Sequence, residues 1–390
     1  IMPFLMGISA LGFMIGTGGS AIVAKTLGEG KIENANEYFS MLVYITAIGG
    51  IIIAILSMFL VKPVAILFGA SGTLLDNCIL YGRILCISLP AFMLQNVFQS
   101  FFVTAEKPHL GLRVIVIAGV TNMVLDFLFV AVLHLELPGA GFATVCGEFI
   151  GGLFPLFYFG RKNSSLLKLG KTHFHGRILL KTCTNGSSEL MTNLSSSIVN
   201  ALYNMQLMKF AGEDGVAAYG TIMYVNFIFV SIFLGYAIGS APIVSYHYGA
   251  NNQDELKNLF LKSIRLIGTW AVSLFVIAQL IATPLATLFV GYDHGLFALT
   301  RNGFRLYSFA FLLNGFNIYG SAFFTALNNG LLSALISFLR TLVFQMAVVL
   351  LLPLLLGING VWCSVAIAEL LTLCVTGTFI VLKRNTYHYL

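Results

Sequence analysis

The sequence predicts an all-α polytopic membrane protein, eleven helices of a twelve-helix plan arranged as two pseudo-symmetric six-helix lobes. Composition, a ladder of apolar spans and an internal repeat carry that reading. Of 390 residues, 58% are hydrophobic and only 9% are charged, against roughly 45–50% and about 25% in soluble domains. Mean hydropathy is +0.91. So few charges cannot solvate a globular surface of this size, which excludes a cytosolic enzyme, a nucleic-acid-binding protein and a disordered chain.

A helix crossing lipid needs about 20 mostly apolar residues, because its backbone must satisfy every hydrogen bond internally. That ruler predicts spans over 2–24, 39–60, 79–105, 111–134 and 139–160, then 178–208, 216–247, 263–290, 303–326, 331–357 and 360–382. Short turn-like connections separate them. Gly28-Glu-Gly30 closes the first span, and Leu137-Pro-Gly139 precedes the fifth. Gly212-Glu-Asp-Gly215, Gly291-Tyr-Asp-His-Gly295 and Gly357-Ile-Asn-Gly360 divide the second half. The one longer polar stretch, 161–177, is expected to join a first lobe (1–165) to a second (166–390).

Orientation follows from Lys and Arg. Sixteen of the 21 fall on one set of alternating connections, among them Lys25, Lys107, Arg161, Lys171, Lys257 and Arg384. That side is expected to be cytoplasmic, with residue 1 outside and the C-terminus inside. The net charge of +6 is then a topology signal rather than a binding patch.

A shift of 221 residues aligns Gly28 with Gly249, Pro63 with Pro284, Gly82 with Gly303, Ser100 with Ser321, Thr104-Ala105 with Thr325-Ala326, Gly139 with Gly360 and Glu148 with Glu369. Apolar composition alone does not keep glycines, prolines and a glutamate in register, so the chain is read as a duplication. Matching spans lie six helices apart, so both copies face the same way, as in parallel-repeat transporters. The partner of 178–208 would precede residue 1. The chain opens on Ile1, and its first span lacks the charged start of a signal peptide. It is therefore expected to lack the first helix.

Ionisable residues within the spans carry the functional reading, since each costs at least about 2.5–3.5 kcal/mol at the bilayer centre. Asp126 lies in 111–134 with Asn122 one turn before it, on one face at i,i+4 spacing. Thr144 in the next span supplies a further oxygen. A carboxylate, an amide and a hydroxyl suit a hard cation such as Na⁺, or a proton; a structural hydrogen-bond cluster is the alternative. Glu189 sits in the most polar span, near Asn193, Ser195–Ser197 and Asn200. It is read either as a protonation or substrate site or as a carboxylic acid kept neutral by burial. Gln99 and Asn96 are weaker cavity candidates. Glu148 and Glu369 occupy matched positions, which favours packing. Arg340 neutralises a neighbour or a phosphate, and the sequence leaves both open. Phe92, Phe98, Phe227, Tyr224 and Tyr319 offer an aromatic lining for organic cations, or simple packing.

No enzyme or cofactor motif stands beside these. Gly16-Thr-Gly-Gly19 lacks the Lys-Ser/Thr of a P-loop and lies inside an apolar span. His173 and His175 read as solvated loop residues, and His247 as an interfacial anchor. The six cysteines form no CxxC pair and fit no zinc spacing. Neither a cofactor nor a metal is expected beyond the coupling ion.

The segment Gly12–Gly30 with Ala35 and Phe39 resembles the second helix and loop of multidrug and toxic compound extrusion (MATE) transporters. Asn122-Met-Val-Leu-Asp126 and Gly139-Ala-Gly-Phe-Ala-Thr144 are similar to that family's fifth and sixth helices, and 235–249 to its eighth. The resemblance covers essentially the whole chain. It implies a two-lobe antiporter that exports organic, often cationic and amphipathic compounds against Na⁺ or H⁺ by alternating access. It also implies a cation site at Asn122, Asp126 and Thr144, and matches Glu189 to an acid of the seventh helix in some members. A monomer in the inner (plasma) membrane, with small-molecule partners and no nucleic acid, is expected. The competing expectations are a flippase for a lipid-linked precursor, which needs cationic residues to hold a diphosphate, and an inactive truncated product.

Overall fold

The computed structural model of the chain describes residues 2–389, and among these it contains helices and turns but no strand. The elements are α1 (Met2–Gly28), α2 (Ile32–Leu67), α3 (Gly72–Thr104), α4 (Pro108–Asp126) with a π turn (Phe127–Val132), and α5 (Glu136–Gly160). They continue with α6 (Gly176–Gly249), α7 (Gln253–Val290), α8 (His294–Tyr307), a 3₁₀ turn (Ser308–Ala310) and α9 (Phe311–Ala326). Last come α10 (Gly330–Phe338), a second π turn (Leu339–Phe344), α11 (Gln345–Leu356) and α12 (Ile358–Tyr387).

Nine described helices are long and apolar enough to cross a membrane. At 1.5 Å per residue the 74 residues of α6 would span about 110 Å, far beyond a hydrocarbon core of about 30 Å. The chain reverses within α6 at Gly212, whose φ of 64° and ψ of −150° are non-helical. Counting α6 as two, and α8 with α9 as one rod across the 3₁₀ turn, gives the eleven spans expected. Where the sequence expects turns, however, helix persists. Glu213–Gly215 stay helical, and Leu137-Pro-Gly139 forms the first turn of α5, a position where proline loses no hydrogen bond.

Two compact units divide the chain, Ile1–Asn193 and Leu194–Leu390. In the first, Phe39, Phe98, Phe101 and Phe159 pack edge-on and stacked, with ring centroids 4.9–6.5 Å apart. In the second, Phe260, Tyr319, Phe323 and Tyr389 form the corresponding knot. Outside these cores α2 exposes Ile48, Ile51, Ile55 and Phe59, a helical stripe that suits acyl chains and not water.

Lipid offers no hydrophobic force between helices, so close backbone approach through small residues holds them together. Gly12 and Gly16 of α1 face the backbone of Met93 and Asn96, where an added Cβ would sit 2.8 and 2.9 Å from the carbonyl oxygens. Gly18 meets Thr182 and Gly186 of α6, and Gly186 in turn meets the Met14 carbonyl. The glycines of 16–19 are thus a packing seam.

The halves share their chain reversals. α1 ends with the Lys31 amide donating to Thr26 O, past left-handed Gly30; α6 ends with the Asn252 amide donating to His247 O, past left-handed Asn251. These ends are 221 residues apart. The next pair is not. α3 closes with Lys107 N–H to Phe102 O and α9 with Asn329 N–H to Phe324 O, an offset of 222. The N-caps Ser71 and Asp293 keep that offset too. The slack lies in α7, which has 38 residues against 36 in α2. Pairing Ser100 with Ser321 and Thr104 with Thr325 therefore sets α3 one residue out of step. Helices of scattered Gly, Ser and Thr in an apolar ground hide such a slip.

The connection 161–175 is a pinned strap. Asn36 Oδ1 accepts from Lys168 N–H at 2.6 Å, and Ser40 Oγ accepts from Gly170 N–H at 3.0 Å. Thr172 Oγ1 donates to Glu37 O at 2.8 Å, and Tyr44 Oη donates to Gly170 O at 3.2 Å. His175 Nε2 lies 3.2 Å from Glu37 Oε1 and its ring meets Tyr38 edge-on, so this histidine is a docking residue and not a merely solvated one.

Substituting Gly186→Ala should lower the melting temperature in detergent, by the equivalent of about 1–3 kcal/mol of overpacking. Gly49→Ala, where an added Cβ meets nothing within 4 Å, should leave it unchanged or raised.

Candidate cation site

The polar residues of the first unit gather where α3, α4 and α5 meet. α4 carries Asn122 and Asp126 on one face, and its α-helical winding gives way to the π turn immediately after Asp126. Such turns recur at functional sites because the wider winding redirects side chains. α5 carries Thr144 and Glu148 at i,i+4. α3 adds Tyr81, Ser88 and Gln95, seven residues apart and hence on one face.

Small residues on α5 let the helices close. A Cβ at Gly147 would lie 3.1 Å from Asn122 Cβ, and one at Gly151 would collide with the Gln95 amide. Thr144 is fully engaged. Its hydroxyl donates to Ala140 O at 3.0 Å and accepts from Asn122 Nδ2 over a long 3.4 Å. Tyr81 also hydrogen-bonds Thr144, and stands close enough to Asp126 and Glu148 for both charges to act on it. Asp126 Oδ1 is buried and has no hydrogen-bond partner, and the same holds for Gln95 Oε1. A buried acceptor without a donor is costly, and a cation beside Asp126 would relieve it. To join that ion, Thr144 would have to free the lone pair that the Asn122 amide now takes.

The remaining candidates are spread. Asn96 is 4% exposed with Nδ2 unpartnered, and Gln99 is half-buried. Glu189 is half-buried on α6, engaged by contacts of its own, and its carbonyl accepts from Asn193 Nδ2 at 2.8 Å. Phe98 and Tyr319 are core residues at 1% and 2% exposure, while Tyr224 and Phe227 are exposed at 67% and 77%; these four form no common lining. Among the described residues no three His, Cys, Asp or Glu side chains gather to hold a metal ion.

The second unit answers the question left open for Arg340. Its Nε lies 2.8 and 3.0 Å from the two oxygens of Glu369, and a second guanidinium nitrogen lies 2.8 Å from Oε1. Asn317 Nδ2 donates to Glu369 Oε2 at 2.7 Å and to its carbonyl at 2.8 Å. Glu369 is 1% exposed. Arg340 thus neutralises a neighbour, and Glu369 holds an ion pair in addition to its packing.

Sequence reasoning did not single out Tyr81, Ser88 and Gln95. Their heptad spacing was the available signal, masked by the polar residues scattered along the rest of α3.

The MatE family model matches residues 1–128 and 190–351. The chain is 24% identical over 281 residues to multidrug export protein MepA of Staphylococcus haemolyticus, covering 71% of this chain and 62% of that protein. It is 20% identical over 292 residues to the FAD transporter of Shewanella oneidensis, covering 74% and 64%. The chain thus spans somewhat over three-fifths of the length of these curated relatives. Among solved structures, a MATE protein in complex with MaL6 superimposes with a TM-score of 0.94 at 22% identity, over 99% of this chain and 87% of that one. A MOP superfamily transporter from Pyrococcus furiosus does so with 0.92 at 22% identity, over the same shares. These likenesses establish a shared fold.

Arg340→Leu strands Glu369 and should lower stability by about 3–5 kcal/mol. Arg340→Leu with Glu369→Leu should recover most of that loss, as read by thermal unfolding of both variants in detergent.

Proposed function

This chain belongs to the MatE family, and on that premise we propose that it is a cation-coupled antiporter exporting organic, cationic and amphipathic compounds. The observation that carries the proposal is the unpartnered, buried Asp126 Oδ1 beside Asn122 and Thr144. A fixed structural role would give that oxygen a donor. A visiting Na⁺ or H⁺ supplies one only part of the time.

In the proposed cycle the ion reaches Asp126 from outside and favours the state that releases substrate outward; its departure inward resets the site. Coupling requires that ion and substrate prefer different states of the protein, not merely different places. The Lys and Arg distribution supports a multi-pass protein of the plasma membrane with its C-terminus in the cytoplasm. Export of drug-like compounds is what the name of the MepA relative describes. A protein named for FAD export is also similar, so an anionic substrate is the contrasting outcome to test.

The flippase reading loses its best residue. Arg340, the cation that would hold a diphosphate, is engaged by Glu369.

Cells expressing the full-length protein should extrude ethidium, and Asp126→Asn should abolish that efflux with the protein still folded. Proteoliposomes with separate Na⁺ and pH gradients identify the driving ion. Wild-type efflux by Asp126→Asn would remove this carboxylate from the mechanism, and efflux of FAD in place of ethidium would overturn the substrate class.

A further inference from the structure

Glu148 and Glu369 are duplicates, and the packing keeps them in register. In the first unit Gly141 of α5 lies against Tyr81; 221 residues on, Trp362 of α12 lies against Gly303. The bulk has changed sides while the contact is preserved. The two acids nonetheless have opposite surroundings. Glu369 is saturated by Arg340 and Asn317. By the offset of 222 that the α3 and α9 ends fix, the counterpart of Asn317 is Gln95. The N-caps Lys107 and Asn329 carry the same offset into the next helix, where Arg340 corresponds to Ala118, which is buried and apolar. The first unit has lost the guanidinium and kept the acid.

What faces Glu148 is Ser88 and Tyr81 from α3 and Asp126 from α4. None of these is a cation, and among the described residues no ion pair is formed by Glu148. Ser88 donates its own proton to Leu85 O at 3.2 Å, so toward Glu148 it presents a lone pair. Tyr81 is turned to Thr144. An ionised Glu148 would meet an acceptor and a second carboxylate, whereas a protonated Glu148 donates to Ser88 Oγ and removes one of two like charges.

We propose that Glu148 is a second exchangeable carboxyl of this site, carrying a proton through the transport cycle where the second unit holds a fixed guanidinium. The proposal rests on the reading of the first unit as the coupling site and adds a second charge to it. Glu148 takes a proton from water on one side and holds it as a carboxylic acid bonded to Ser88 Oγ. It releases that proton to water on the other side and returns to the carboxylate. No other bond is made or broken.

Infrared difference spectra of the purified full-length protein across pH, with and without Glu148→Gln, test this alongside ethidium efflux driven by a pH gradient in proteoliposomes. The expected result is a protonated-carboxyl carbonyl band that persists in Asp126→Asn and vanishes in Glu148→Gln, whose pH-driven efflux is lost while ethidium binding is retained. Glu148→Asp should keep the band, shifted. Wild-type efflux by Glu148→Gln, or no such band in wild type and Asp126→Asn, would overturn the proposal; the second outcome needs no Glu148 variant to fold. If Asp126→Asn is inactive and Glu148→Gln is not, only the second carboxyl fails. Should Asp126→Asn transport normally, the antiport reading itself fails.

Discussion

A carboxylate held among helices in oil must be compensated, and this requirement organises the polar interior of the chain. Taking an ion out of water costs several kcal/mol after relaxation. A duplicated acid meets that cost in two ways. At Glu369 a guanidinium and an amide are built in, and the charge is settled permanently. In the first unit Asp126 and Glu148 face hydroxyls, amides and each other, so compensation has to arrive from outside. A permanent ion pair cannot report on a gradient; a deficit can.

The same economy appears in how the helices meet. Gly12, Gly16 and Gly18 on α1, Gly147 and Gly151 on α5 and Gly186 on α6 bring backbones close enough for dispersion to hold what the hydrophobic effect does not. On α5 these glycines serve the site as well, because they set the approach of Asn122 and Gln95. Replacing side chains by close backbone leaves little freedom for the polar groups, which is how an oxygen such as Asp126 Oδ1 stays buried with no donor.

Much of this was legible in the sequence. Eleven spans followed from hydropathy alone, and the duplication followed from glycines and prolines in register. Asp126, Asn122 and Thr144 stood out because i,i+4 spacing and the price of charge in lipid are local properties. What was hidden depends on register and direction. The one-residue difference between α2 and α7 changes which residue of α3 corresponds to Asn317, and only the hydrogen bonds at the helix ends reveal it. The partner of Arg340 lies 29 residues away on another element, beyond any periodicity. Tyr81, Ser88 and Gln95 join the cluster through their orientation, which sequence spacing suggests only after α5 is known to face them. Turns were over-read, since glycine and proline at Leu137–Gly139 and Glu213–Gly215 fit inside helices.

The stretch from Arg161 to His175 has every outward mark of a tether: polar, irregular and placed between two bodies. Its hydrogen bonds to Asn36, Ser40 and Tyr44 make it instead a surface component of the first unit, with Leu167 wholly buried. Anyone seeking a permissive position for an epitope, a fluorescent protein or an engineered cleavage sequence would choose it first. Such a graft would prise the segment off α2 and disturb the folded unit, so labels belong elsewhere in the chain.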